Sequence, residues 1–219
     1  MNDWFPLWLS LRVASLATLI AAVVGITCGY VLAKTSFRGR GLLEAILSIP
    51  IVLPPTVLGY YLLATLGVNS PIGQAWENIF GSPLVFTPTA AVVAASISAL
   101  PYVVRTSRAA IEEVDSRYEA VARVSGYPEW KVAVIVTLPV ARRGLLAGVA
   151  LGFARALGDF GATVMIAGNI PGRTQTLPIA VYDAVQSGNS STAQTGALIL
   201  AGIAIVVLLA VTQLSARRI

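Results

Sequence analysis

The chain has no histidine, a single cysteine, and charged residues at only 11% of its 219 positions. With no histidine, and Cys28 alone in an apolar run, neither a disulfide framework nor a Cys/His metal centre can be assembled, so no metal is expected. The shortage of charge excludes an ordinary soluble domain, where about a quarter of residues are charged. No nucleophile–base pair or metal cluster falls in the apolar stretches, which argues against an enzyme. A basic leader is missing as well: Met1-Asn2-Asp3-Trp4 does not open like a signal peptide and is read as a mature terminus. No Gly/Ser- or Pro-rich linker sets off a soluble module, and no repeat of fixed period is evident, so residues 1–219 are expected to form one transmembrane domain.

What fills the chain is apolar: 56% of residues are hydrophobic and the mean hydropathy is +0.79. A helix needs about 20 mostly apolar residues to cross a bilayer. Five spans are predicted, at residues 7–33, 42–66, 84–104, 145–167 and 197–214, giving an all-α integral membrane protein set in lipid. The formal charge of +5 suggests nucleic acid at first sight, but the basic residues sit in short loops between spans. Lys34, Arg38 and Arg40 follow the first span, and Arg105, Arg108, Arg117, Arg123, Lys131, Arg142 and Arg143 follow the third. Arg217 and Arg218 lie in the C-terminal tail, the opposite side has only Arg173, and Arg12 and Arg155 fall within spans. This asymmetry predicts an outer N-terminus and a cytosolic C-terminus.

Two spans depart from a plain apolar helix. The second reads Ser48-Ile49-Pro50-Ile51-Val52-Leu53-Pro54-Pro55-Thr56, with three prolines near its midpoint. Proline removes a backbone donor, and the orphaned carbonyls survive at that depth only inside protein or along a wet cavity. A translocation path through Pro54, Pro55 and Thr56 and a simple packing kink both fit. The fourth span carries Arg155 near its centre, with Asp159 one turn further on the same face. A lone charge there costs at least about 2.5 kcal/mol, so the two are expected to pair, either structurally or as part of the path. Between spans, Gly67 to Pro83 holds a short amphipathic piece around Trp76, and Leu177 to Val185 is predicted to form a short helix dipping into the membrane surface.

The loop from Glu112 to Pro139, continuing to Arg143, is the longest polar stretch. Arg117 to Ser125 favours helix, Gly126 can supply a left-handed stop, and Pro128 prevents continuation. A second amphipathic stretch, Trp130 to Val136, leads to Leu138-Pro139. A helix lying on anionic lipid is one reading. The mixture of Glu119 with Arg117 and Arg123 fits better a short helix seated in a groove of a soluble partner.

This loop resembles that of ABC-type importer permeases, which carry Glu-Ala-Ala, three residues, Gly, nine residues, Ile, one residue, Leu-Pro. Here Ala120-Val121-Ala122, then Gly126, Val136 and Leu138-Pro139 keep the spacing. Ala120 stands at the Glu position with Glu119 beside it, and Val121 and Val136 replace Ala and Ile. Residues 50–55, 154–163 and Asn169-Ile170-Pro171-Gly172-Arg173-Thr174-Gln175-Thr176-Leu177-Pro178 are similar to molybdate importer permeases, with sulfate permeases close by. Asp159 stands where that family more often shows Glu.

The resemblance implies a type I importer permease fold with a cytosolic coupling helix, in a bacterial or archaeal cell membrane. It implies a homodimer of this chain, two cytosolic ATPase subunits and an extracytoplasmic oxyanion-binding protein. Glu119, Ala120, Val121, Ala122, Gly126, Leu138 and Pro139 would couple to the ATPase. Pro54, Pro55, Thr56, Arg155, Asp159 and Thr163 would line the path for molybdate, tungstate or sulfate. Asn169, Arg173 and Thr174 would meet the binding protein. ATP and Mg²⁺ would reside on the partner, because the nearest P-loop-like stretch, Gly29 to Thr35, has Ala33 where glycine is required and is apolar. An ion-coupled secondary anion transporter or channel, and a sensory membrane subunit, are the rival classes.

Overall fold

The computed structural model describes residues 4–216; Met1 to Asp3 and the tail arginines Arg217 and Arg218, used in the charge asymmetry, lie outside the described residues. All regular structure among them is helical: α1 Phe5–Lys34, α2 Arg40–Val52, α3 Pro55–Leu66, α4 Pro71–Phe80, α5 Pro88–Glu112, α6 Ser116–Val124, α7 Glu129–Val132, a π-helical turn Ala133–Thr137, α8 Leu138–Leu157, α9 Gly161–Ala167, α10 Leu177–Gln186 and α11 Ser190–Ala216. Four helical stretches are long and apolar enough to cross a membrane, and the bent pair α2/α3 brings the number to as many as five.

The scaffold is α1 against α5. Leu9, Val13, Ala17 and Ala21 recur every fourth residue along α1 and meet Ala91, Ala94, Ala95 and Ala99 of α5, all fully or nearly buried. Small side chains let the backbones approach: a Cβ on Gly25 would stand 2.8 Å from Val103 Cγ1. Thr87 starts α5 by accepting a hydrogen bond from the Ala90 amide, and Pro88 occupies the first turn, where no donor is needed. At the basic end, α2 is tied to α5 by Arg105 to the Ser48 hydroxyl at 3.0 Å and Arg108 to Glu44 at 2.6 Å.

Several boundaries differ from the sequence expectation. The third span starts at Pro88 and runs on to Glu112, and the fifth starts at Ser190. The second is two helices meeting at 115°, a sharper break than a kink, because Leu53 and Pro54 are extended. The stretch 130–139, expected as loop, is helix continuous with the fourth span from Glu129 to Leu157. Pro139 cannot donate to the preceding turn, and the π-helical turn just before it widens the helix to accept the ring. That span also ends early. The chain breaks at Gly158–Phe160 and restarts as α9, so Arg155 lies in the last turn of α8 and not in mid-helix.

Candidate translocation gate and coupling surface

The two broken spans are packed on one another. A Cβ on Gly59 of α3 would lie 2.6 Å from Met165 Cβ, and one on Gly161 would lie 2.8 Å from Pro55 Cβ. Only glycine permits this contact, which sets the break after Pro54 beside the break after Gly158.

Asp159 holds the second break in place. Its side chain is fully buried. Oδ2 accepts from the Thr163 amide at 3.0 Å and the Thr163 hydroxyl at 2.7 Å, completing the first turn of α9. Oδ1 accepts from the Ser98 hydroxyl of α5 at 3.0 Å and faces Arg155 Nη2 at 3.1 Å. The carboxylate is thus satisfied from within. Arg155 keeps 23% of its side chain exposed and has no other polar partner among the described residues. It opens onto a cavity of about 490 Å³ lined also by Pro50, Leu53, Pro55, Thr56 and Tyr102.

Asp159 is held by bonds from three helices, and Arg155, paired with it, lines the cavity. Of the expected path residues, Pro55, Thr56, Arg155 and Asp159 line this cavity; Pro54 is exposed beside it, and Thr163 is buried behind Asp159. Ser98 and Tyr102 were missed. They lie in the Ala/Ser-rich face of α5, and no local pattern in the sequence distinguishes them from packing residues.

At the basic end, α6 is built inside out. Asp115 caps it by accepting from the Arg117 amide at 2.9 Å. Gly126, at φ +84°, ends it, with the Tyr127 amide reaching back to the Ala122 carbonyl at 3.2 Å. Glu119 points inward, 3% exposed, to Lys34 Nζ at 2.7 Å and the Thr137 hydroxyl at 2.7 Å. Arg123 Nη2 stands 3.6 Å from the same carboxylate and pairs at 2.7 Å with Glu129 across the turn. Burial pushes the Glu119 carboxyl up, but hydrogen bonds from Lys34 and Thr137 and the charges of Lys34 and Arg123 outweigh it, leaving it below its ordinary value.

The outward face carries Tyr118, Val121 and Val124, the last 90% exposed, with Tyr127 and Trp130 nearby. The helix thus has an apolar face, directed away from its own protein. Ala120 and Val121 are exposed and Ala122 is buried, Leu138 is half-buried, and Pro139 is exposed. The helix buries its acid and exposes its valines, leaving an apolar face uncovered in this chain.

On the far side, Asn169 Nδ2 donates to Asp183 at 3.1 Å, and Gln175 Nε2 donates to Asn169 at 2.9 Å. Arg173 is exposed. Thr174 is fully buried; its hydroxyl accepts from the Ile170 amide and donates to the Gly168 carbonyl. It shapes the loop and does not present itself for docking.

Two spans broken side by side around an arginine-faced cavity, and a short helix offered at the basic end, are the parts of a membrane transporter worked by a separate subunit. The chain belongs to the family described as the binding-protein-dependent transport system inner membrane component, whose model matches residues 22–219. It is 40% identical over 208 residues to the molybdenum transport system permease protein ModB of Escherichia coli (strain K12), covering 94% of this chain and 91% of that one. It is 32% identical over 204 residues to the sulfate transport system permease protein CysT of the same strain, covering 93% and 73%. The inward-facing methionine ABC transporter MetNI shares its fold, with a TM-score of 0.72 at 18% identity over 95% of this chain and 92% of that one. The chain is accordingly a multi-pass inner-membrane permease subunit of an ABC transporter, distinct from the ATPase, and its family works with an ATPase and a binding protein.

Proposed function

We propose that this chain forms the translocation path of an ATP-driven importer of molybdate. The observation that carries an anionic cargo is Arg155: its acid partner is already satisfied by Ser98 and Thr163, so the guanidinium is held at bilayer depth facing the cavity. A dianion entering there meets a cation whose desolvation has been met by Asp159, and no acidic group is left unsatisfied to repel it. The choice of molybdate is supported by the relatives named for molybdenum transport; sulfate and tungstate, with the same tetrahedral charge, are the alternatives.

Two copies of this chain would meet so that their cavities join. The exposed Tyr60, Tyr61 and Val57 of α3 would face the second copy. Two ATPase subunits would hold ATP and Mg²⁺ and cover Tyr118, Val121 and Val124. ATP closing that pair would carry α6 and, through Lys34 and Thr137, the bases of α1 and α8. The N-terminus would lie outside and the C-terminus in the cytosol, with the binding protein docking near Asn169 and Arg173. Such a drive works only if ATP and loaded binding protein favour the outward-open state over the inward-open one.

The test is uptake into proteoliposomes holding this chain, its ATPase and its binding protein, with molybdate, tungstate and sulfate compared. ATP-dependent molybdate uptake is expected. Uptake without the ATPase would support an ion-coupled transporter or channel instead, and a preference for sulfate would move the chain to that cargo.

A further inference from the structure

Of the three basic residues that break the charge asymmetry, Arg155 has Asp159. The other two, Arg12 and Arg173, are 161 positions apart in sequence, yet they line one groove of about 460 Å³. Both are exposed, and neither guanidinium has an ion pair or hydrogen bond among the described residues. The groove runs between α1 and the start of α5. Its walls are Leu16 and Ile20 of α1 with Pro88 and Val92 of α5, and its floor is the buried Leu9 and Val13.

Two unpaired guanidinium groups at the end of the bundle opposite the basic cluster are anomalous. An arginine on the surface of a span is costly without a partner, and basic residues are scarce on that side for reasons of insertion. The missing partner is an anion that arrives with an apolar tail. From Arg12 to Ile20 the groove continues along α1 for about 12 Å, close to the roughly 15 Å depth of one leaflet's hydrocarbon. A docked protein domain would meet Arg173 but could not follow the groove past Leu16 into the bilayer. An acyl chain can.

We propose that this groove is a binding site for an anionic phospholipid in the leaflet away from the basic end. Arg12 and Arg173 hold its phosphate, so that the binding protein docks beside Arg173 and not on its guanidinium, and Leu16, Ile20 and Val92 hold one acyl chain. Arginine suits the role because its planar fork of donors matches a phosphodiester and remains charged at any working pH. A lipid here would add to the tie between α1 and the start of α10, where the Ser10 hydroxyl accepts from the Leu177 amide at 2.7 Å.

The test is native mass spectrometry of the intact transporter, purified with its ATPase subunits and titrated with phosphatidylglycerol or with phosphatidylcholine of identical chains. The expected result is retention of phosphatidylglycerol, one per copy of this chain, at concentrations where phosphatidylcholine is lost. Arg12→Gln combined with Arg173→Gln should weaken that retention by about tenfold, whereas Arg12→Lys with Arg173→Lys should keep most of it. Equal retention of the two lipids by the native protein overturns the proposal without any variant. Unchanged retention in an assembled double Gln variant overturns it as well. If that variant keeps phosphatidylglycerol and instead loses capture of the loaded binding protein, the arginines belong to the docking face and the lipid site is rejected.

Discussion

Asp159 and Glu119 are both acids withdrawn from solvent, and each is held by a basic side chain and a threonine hydroxyl. Their surroundings separate them. Asp159 draws its donors from α5, α8 and α9, at a break inside the membrane. Glu119 draws its donors from the end of α1 and the π-helical turn, beside exposed residues of the basic end. A carboxylate whose two oxygens are taken up by Ser98, Thr163 and Arg155 fixes a geometry. A carboxylate buried next to exposed residues lies within reach of a proton from solvent, which would weaken its bonds to Lys34 and Thr137.

The largest effect should come from Asp159→Ala. It strands Arg155 and removes the cap of α9, at a cost of about 3–5 kcal/mol, read as loss of folded, assembled protein. Pairing Asp159→Asn with Arg155→Gln should recover assembly but not uptake; recovery of uptake would break the assignment of Arg155 to the path. Next comes Gly161→Val, which forces α9 away from Pro55 and should cost about 1–3 kcal/mol, with uptake falling further than the melting temperature suggests.

Glu119→Gln should cost about 1–3 kcal/mol locally and leave the gate intact, so ATP hydrolysis by the complex should persist while uptake falls. The same bond sets a pH dependence. Because folding lowers the Glu119 value, its contribution is full above about pH 4.5, the ordinary glutamate value, and is lost as pH falls through the lower folded value. A fluorophore on Val124→Cys, in a Cys28→Ser background, should report release of α6 only on that acid side. The Glu119→Gln variant should not show the transition.

Gly126→Val meets no neighbouring atom, so its strain is confined to the backbone at φ +84°, about 1–2 kcal/mol. It should uncouple hydrolysis from uptake, and unchanged uptake in vesicles would reject that role. Val121→Asp with Val124→Asp should change stability least, by about 0.5 kcal/mol or less, yet abolish co-purification with the ATPase.

Much of this molecule is legible in one dimension. The spans follow from apolar length, and Lys34, Arg105, Arg108 and their neighbours mark one end of the bundle as basic. The break at Pro54 and the turn at Gly126 are equally local, because bilayer insertion and backbone sterics act on short segments. Even the pairing of Arg155 with Asp159 could be read, being one turn apart.

Tertiary packing alone decided the rest. Thr174 looked like a docking residue and is a buried strut, and Glu119 looked like a contact for the partner and faces inward. Ser98 became a partner of Asp159, and Arg12 became a neighbour of Arg173. The last two depend on which helix faces meet across 61 and 161 positions of chain. Helical periodicity repeats identically along a segment whichever neighbour it will have; the close approaches at Gly59 and Gly161 select that neighbour.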